Sequence, residues 1–149
     1  EITELFCGLL EPDERRRLTS VQRAGVAPVI RTFAEKDDYL EALRAAAAEP
    51  GEGLTAIVAE SDARVSWLSK QLGDAVTVIR GGMSLPAEGV VLLPLRVAKG
   101  LEFDHVIVPD AQAEVYPDTP LARRRLYTAL SRAMHRVTVL AQGPLTPLL

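Results

Sequence analysis

Residues 54–82 read LTAIVAESDARVSWLSKQLGDAVTVIRGG, and their order decides the fold. "LTAIVA" (54–59) is a continuous apolar run rather than an alternating one, the pattern of a strand covered on both faces. "SDARVSWLSKQLG" follows as a helix, with Ser61 or Asp62 as its cap and Gly73 as its stop. "AVTVIRGG" (75–82) then reads as a short strand closed by two glycines. Strand, helix and strand in that order make the crossover unit of a parallel sheet.

The alternation continues in both directions. Upstream, "PVIRTF" (28–33) is a strand and "EKDDYLEALRAAAAE" (35–49) a helix with an acidic first turn, stopped by "EPGEG" (49–53). Residues 2–10 read as an amphipathic helix with Ile2, Leu5, Phe6 and Leu9 on one face, and 11–28 as a polar, turn-rich loop. Downstream come strands at "GVVLLP" (89–94) and "DHVIVPD" (104–110), a helix at "LARRRLYTALSRAMH" (121–135) and a strand at "RVTVLA" (136–141). "GPLTPLL" reads as a terminal tail. The expected fold is α/β, a mostly parallel sheet with helices on both faces.

With 149 residues the chain has the size of one domain. No apolar run approaches the roughly 18 residues of a membrane span. The net charge of −3 excludes a uniformly basic nucleic-acid glove. The cations are unevenly placed, however. Lys36, Lys70 and Lys99 are the only lysines, and arginines cluster at Arg15–Arg17 and Arg123–Arg125. Local patches of this kind bind phosphates even on an acidic protein. Cys7 is the sole cysteine, which excludes an internal disulfide and a cysteine zinc site and fits a reducing cytoplasm. His105 and His135 lack metal-ligand spacing, Trp67 reads as core, and the Arg15–Arg17 run reads as a solvated loop.

Two dense segments carry the chemistry. In "LRVAKGLEF" a short helical turn presents backbone N–H groups, Lys99 and the carboxylate of Glu102 together. Phosphates favour the first two, and a sugar hydroxyl favours the third. Open parallel sheets bind ligands beyond the carboxyl ends of their strands, where this segment begins. The plainer alternative is that Gly100 caps a short helix and Glu102 is solvated. In "RRRLYTALSRAMHRVTVL", Arg125, Thr128 and Arg132 share one helical face, opposite Leu126, Ala129, Leu130 and Ala133. A rigidly held arginine suits phosphate, while a solvated basic face is the plainer reading.

Together the two segments carry a resemblance. "AKGLEFDHVIV" resembles motif V of the UvrD/Rep-type superfamily-one helicases, and "RRRLYTALSRA" resembles their motif VI. Order and separation match too: motif V with its strand, the loop "PDAQAEVYPDTP", then motif VI and a strand. The resemblance is tight over Gly89–Ala141 and loose over Glu1–Gly82. It implies the second RecA-like domain, 2A, spanning 1–149 of a larger motor, with ATP and Mg2+ bound against an N-terminal RecA-like domain of the same protein. Mg2+ would be held mainly by that other domain. Arg132 would be the arginine finger, a group worth on the order of 10³–10⁵ in rate. Gly100 would approach the γ-phosphate through its backbone, Glu102 would bond the ribose, and Lys99 and Arg125 would also lie at the nucleotide. Arg96, Lys99 and Thr128 would meet single-stranded DNA, and Tyr127 would pack its helix.

The chain departs from the family pattern in places. Pro94 and Arg96 stand where the family has threonine and histidine, Ser131 replaces a threonine, and Leu121 and Ala122 replace acidic residues. Only about twelve residues separate Gly82 from Pro94, so the large 2B insertion is absent, as in the helicase-IV-like, RNA-polymerase-associated branch. No G-x-x-x-x-G-K-[ST] loop occurs, so an ATPase complete in itself is excluded. A docking module for RNA polymerase or another protein is the competing expectation. No G-x-G-x-x-G supports a dinucleotide enzyme.

Overall fold

The computed structural model describes residues 28–48 and 51–149. The helix expected at 2–10, Cys7 and the Arg15–Arg17 run lie outside the described residues. The chain runs β1 (Val29–Phe33), α1 (Lys36–Ala48), β2 (Leu54–Ala59) and α2 (Asp62–Leu72), then through a 3-10 turn (Gly73–Ala75) to β3 (Thr77–Val78). β4 (Gly89–Pro94), α3 (Leu95–Ala98), β5 (Phe103–Val108), α4 (Pro120–Leu130) and β6 (Ala133–Gln142) follow. Among the described residues these strands form one six-stranded sheet in the order β1-β6-β5-β2-β4-β3, and each of its ladders is parallel.

The apolar runs are explained by cover on both faces. Along β2, Leu54, Ala56 and Val58 enter one buried cluster, while Ile57 and Ala59 enter another. β4 divides the same way, with Val91 and Leu93 against Val90 and Leu92. Side chains alternate across a strand, so a strand buried on both sides has no polar register. The first cluster takes Leu95 and Ala98 of α3 and Ala122, Leu126, Ala129 and Leu130 of α4. The second takes Tyr39, Leu40 and Leu43 of α1 and Val65, Leu68 and Leu72 of α2. Helices on both faces of a parallel sheet in this order make a RecA-like α/β fold.

Several boundaries differ from the sequence expectation. The helix expected at 121–135 ends at Leu130, and β6 begins at Ala133 rather than 136. The Phe103 N–H donates to the Arg132 carbonyl at 2.9 Å, and Phe103 pairs with Ala133 in the sheet. Pairing with β5 therefore overrides the helix propensity of Ala133 and Met134. The register shifts between Phe103 and His105, which pair with Ala133 and Arg136, so β6 carries one extra residue as a bulge. The strand expected at 75–82 shrinks to Thr77–Val78, because Arg80–Met83 turn back with Gly82 at φ 84° and Met83 N–H on the Arg80 carbonyl. The expected tail is packed instead. Thr146 is buried, its hydroxyl donates to the Tyr116 carbonyl, its N–H donates to the Ala111 carbonyl, and Leu145 bridges Gln112.

Candidate functional site

α4 is set up locally. Thr119 caps it by accepting the Ala122 N–H at 3.1 Å, and Pro120 opens its first turn. Each residue turns about 100° from the last, so the Arg123–Arg125 run fans out. Arg123 reaches Asp118 at 3.5 Å, Arg124 points into a groove, and Arg125 donates to the Glu60 carbonyl at 2.8 Å and to the Glu60 carboxylate at 3.2 Å. Tyr127 is half-buried against the first core cluster.

Arg132 does not share the face of Arg125 and Thr128, contrary to the helical-spacing expectation. The helix has already ended: Ser131 is its C-cap, and the Ser131 hydroxyl donates to the Thr128 carbonyl. Arg132 sits in the turn between α4 and β6, at the amino ends of β5 and β6. One terminal nitrogen donates to Ser131 Oγ at 3.2 Å. Its Nε is buried with no hydrogen-bond partner. An unpaired buried donor of this kind is costly and suits an incoming anion.

The motif V-like segment bridges both ends of the sheet. α3 starts at the carboxyl end of β4, and residues 99–102 carry the chain back to the amino end of β5. The reversal is a type II turn over Ala98–Leu101. Lys99 has φ −60° and ψ 125°, Gly100 has φ 85°, and the Leu101 N–H donates to the Ala98 carbonyl at 3.0 Å. The third position of such a turn calls for glycine, and this accounts for Gly100. Gly100 and Glu102 are exposed, and a Cβ at Gly100 would meet nothing within 4 Å. The Phe103–Arg132 backbone bond places Glu102 beside Arg132. Glu102 and Arg132 thus gather at the amino edge, not beyond the carboxyl ends where the general rule for open sheets put them, while Gly100 lies on the segment between the two ends.

The remaining candidates line a groove of about 620 Å³ between α3, α4 and the loop after β2. Arg96, Lys99, Arg124, Arg125 and Thr128 line it, with Leu121 58% exposed at its rim. Arg96 grips Asp62 through both oxygens, at 2.9 and 2.8 Å. These hydrogen bonds hold the Asp62 carboxyl below the usual carboxylate range, and Arg80 adds to the effect. The Thr128 hydroxyl donates to the Arg124 carbonyl at 2.8 Å.

Sequence reasoning missed the acidic partners of this groove. Ser61 is the cap of α2, accepting the Arg64 N–H, so Asp62 is free to face Arg96. It also missed a buried ionic cluster at the carboxyl end of β5. Asp110, 2% exposed, takes Arg64 through both oxygens at 2.9 and 2.8 Å. The Tyr39 hydroxyl donates to the Pro109 carbonyl and lies 3.1 Å from Asp110, and burial followed by the Asp110 charge pushes its pKa up. Trp67 is half-buried rather than core, with the Arg64 guanidinium 4.0 Å and the Lys36 ammonium 5.3 Å from its ring centre. His105 is buried, bonded through Nε2 to Thr138 at 2.7 Å, and burial with nearby Arg136 pushes its pKa down to about 4. His135 is exposed, 3.7 Å from Asp104. Among the described residues no helix is long and apolar enough to cross a membrane.

A doubly covered parallel sheet with basic and acidic groups at both strand ends places the molecule among RecA-like domains. The chain belongs to the family of UvrD-like helicase C-terminal domains. The model of that family matches residues 89–140, the stretch from β4 to β6 that carries every candidate residue above. The C-terminal domain of a possible DNA helicase from Lactobacillus plantarum WCFS1 is similar at 34% identity, with 99% of this chain and 87% of that one covered and a TM-score of 0.80. The C-terminal domain of the DEAD-box protein Dbp5 is 12% identical over 82% of this chain and 79% of that one, with a TM-score of 0.57, and shares the fold alone. No curated protein matches the chain significantly. Neither match points to RNA polymerase.

Proposed function

We propose that this chain is the second RecA-like domain of an ATP-driven DNA helicase or translocase. In this reading its amino edge completes a nucleotide site against a first RecA-like domain, and its α3–α4 groove tracks single-stranded DNA. One observation carries the reading most: the Phe103–Arg132 hydrogen bond joins the two motif-like segments at one end of the sheet. It sets an arginine with an unpartnered Nε beside an exposed carboxylate, two residues after an open glycine turn. That donor set fits a nucleotide. Arg132 would bind the terminal phosphate and stabilise charge developing in phosphoryl transfer. Glu102 would accept from the ribose, and the open backbone at Gly100 would let a phosphate approach. Arg125, held by Glu60 in the groove, belongs with the DNA-facing residues more than with the nucleotide. Mg2+ would be held mainly by the first domain.

The groove supports the second half of the reading. Lys99 and Arg124 have no carboxylate partner among the described residues, and Leu121 offers an apolar rim on which a base can rest. The Lys99–Gly100 turn belongs to both regions, so it would link hydrolysis to strand movement.

The test is DNA-stimulated ATP turnover by the motor that contains this domain, with and without Arg132→Ala. Turnover is expected to fall by about two decades or more with ATP still bound. Unchanged turnover would sink the proposal. The isolated chain is expected to hydrolyse no ATP, and steady turnover by it alone would be equally damaging.

A further inference from the structure

Two carboxylates, Glu60 from the loop after β2 and Asp62 from the first turn of α2, stand in a groove otherwise rich in cations. Glu60 and Asp62 flank the capping Ser61, and each holds one guanidinium. The two pairs differ. Arg125 is partly buried and also bonds the Glu60 backbone, so it is anchored. Arg96 and Asp62 are 66% and 65% exposed, and their contact is side chain to side chain alone. Two carboxylate oxygens on a guanidinium fork present the geometry that two oxygens of a phosphodiester would present. Both residues also line a second groove of about 360 Å³ between α2 and the β3–β4 edge, together with Lys70 and Arg80. Among the described residues Asp62 is the one carboxylate lining it, in company with three cations.

We infer that Asp62 masks Arg96. It occupies the Arg96 fork when no nucleic acid is bound and lowers the affinity of the groove for a phosphate backbone. The inference rests on the proposed DNA track. An exposed pair is weak, so a phosphate can displace Asp62. The displaced carboxylate stays in the groove, and its charge opposes every phosphate that enters. Lys99 and Arg124 therefore carry the first encounter, and Arg96 contributes only after exchange. Asp62 sets how tightly the track is held, so a strand can be gripped without being trapped.

The experiment is binding of a fluorescein-labelled oligothymidine to this chain by fluorescence anisotropy across a salt series. Asp62→Asn keeps the side-chain shape and leaves the Ser61 cap in place. It is expected to tighten binding about threefold, the scale of an exposed pair. It is also expected to steepen the dependence of log affinity on log salt by about 0.7, the release of one further counterion from a single strand. Arg96→Ala is expected to weaken binding in both backgrounds, and about threefold more in the Asp62→Asn background, where no carboxylate has to leave the fork first. Unchanged or weaker binding by Asp62→Asn would overturn the inference. So would an equal effect of Arg96→Ala in both backgrounds. Lys99→Ala and Arg124→Ala serve as controls for the track itself. If both leave binding unchanged, the DNA reading of the groove fails and the masking role fails with it. If they weaken binding while Asp62→Asn does not tighten it, the masking role alone is wrong.

Discussion

Gly53 and Gly100 allow the cost of a side chain to be separated into backbone and contact parts. Both sit at positive φ, 79° and 85°. At Gly100 an added Cβ meets nothing within 4 Å, so Gly100→Ala carries only the left-handed backbone penalty, about 1–2 kcal/mol. At Gly53 the same Cβ collides with the carboxylate of Asp104, whose Oδ2 accepts the Leu54 N–H at 2.8 Å. The carboxylate must swing away, leaving the first N–H of β2 without its charged acceptor, worth about 1.5–3 kcal/mol more. Gly53→Ala is thus expected to cost about 3–5 kcal/mol in all. Urea unfolding followed through Trp67, the sole tryptophan, reads both. In an Asp104→Ala background the Gly53→Ala cost should fall toward that of Gly100→Ala, the residual difference coming from the Cβ of residue 104, 3.0 Å away. Equal losses in the wild-type background, or a Gly100→Ala loss below about 0.5 kcal/mol, would refute the reasoning.

Other outcomes follow from the buried polar groups. His105 is held down to about 4 in the fold against about 6.5 unfolded, so below pH 6.5 the unfolded chain binds the extra proton. Stability should decline by about 2 kcal/mol between pH 6.5 and 4 on this account, and His105→Gln should flatten that part of the urea profile. Arg64→Met leaves the Asp110 carboxylate buried and unpaired, and should cost about 3 kcal/mol, with part regained by adding Asp110→Asn. An Arg64→Met loss under about 1 kcal/mol in chemical unfolding would show that Asp110 finds another partner or solvent. Thr146→Val removes the hydroxyl that donates to Tyr116 and accepts from the Leu148 N–H, and should cost about 1–2 kcal/mol in the same assay.

The parallel sheet was legible because cover on both faces leaves β2 and β4 as mostly apolar runs, with Thr55 the exception in β2. The helix signals at Ser61 and Gly73 were local and held. What escaped the sequence was set by distant partners. Ala133 and Met134 have helical propensity, yet the edge of β5 draws them into a strand. Thr146 and Leu148 look like tail until Tyr116 and Ala111 are brought beneath them. Residue types at the site, Arg132, Glu102, Arg96 and Lys99, could be singled out from their motifs. Their division between two ends of the sheet could not, because spacing along the chain does not reveal that 99–102 doubles back. Asp62 bonds Arg96 across 34 residues of sequence, and nothing in "ESDA" announces it.

The stretch between β4 and β5 has a mechanical side. Pro94 is level with Ala59, whereas Phe103 lies two residues before His105, which is level with Thr55. The two ends are therefore separated by about 20 Å along the strand axis, at about 3.3 Å per residue. Residues 95–102 must cover that distance, although four of them form a helix that advances only about 1.5 Å each and the next bend folds back on itself. Hardly any spare length is left. The segment behaves as a taut stay between the groove and the amino edge: a tug on Arg96 or Lys99 has no slack to disappear into before it reaches Glu102.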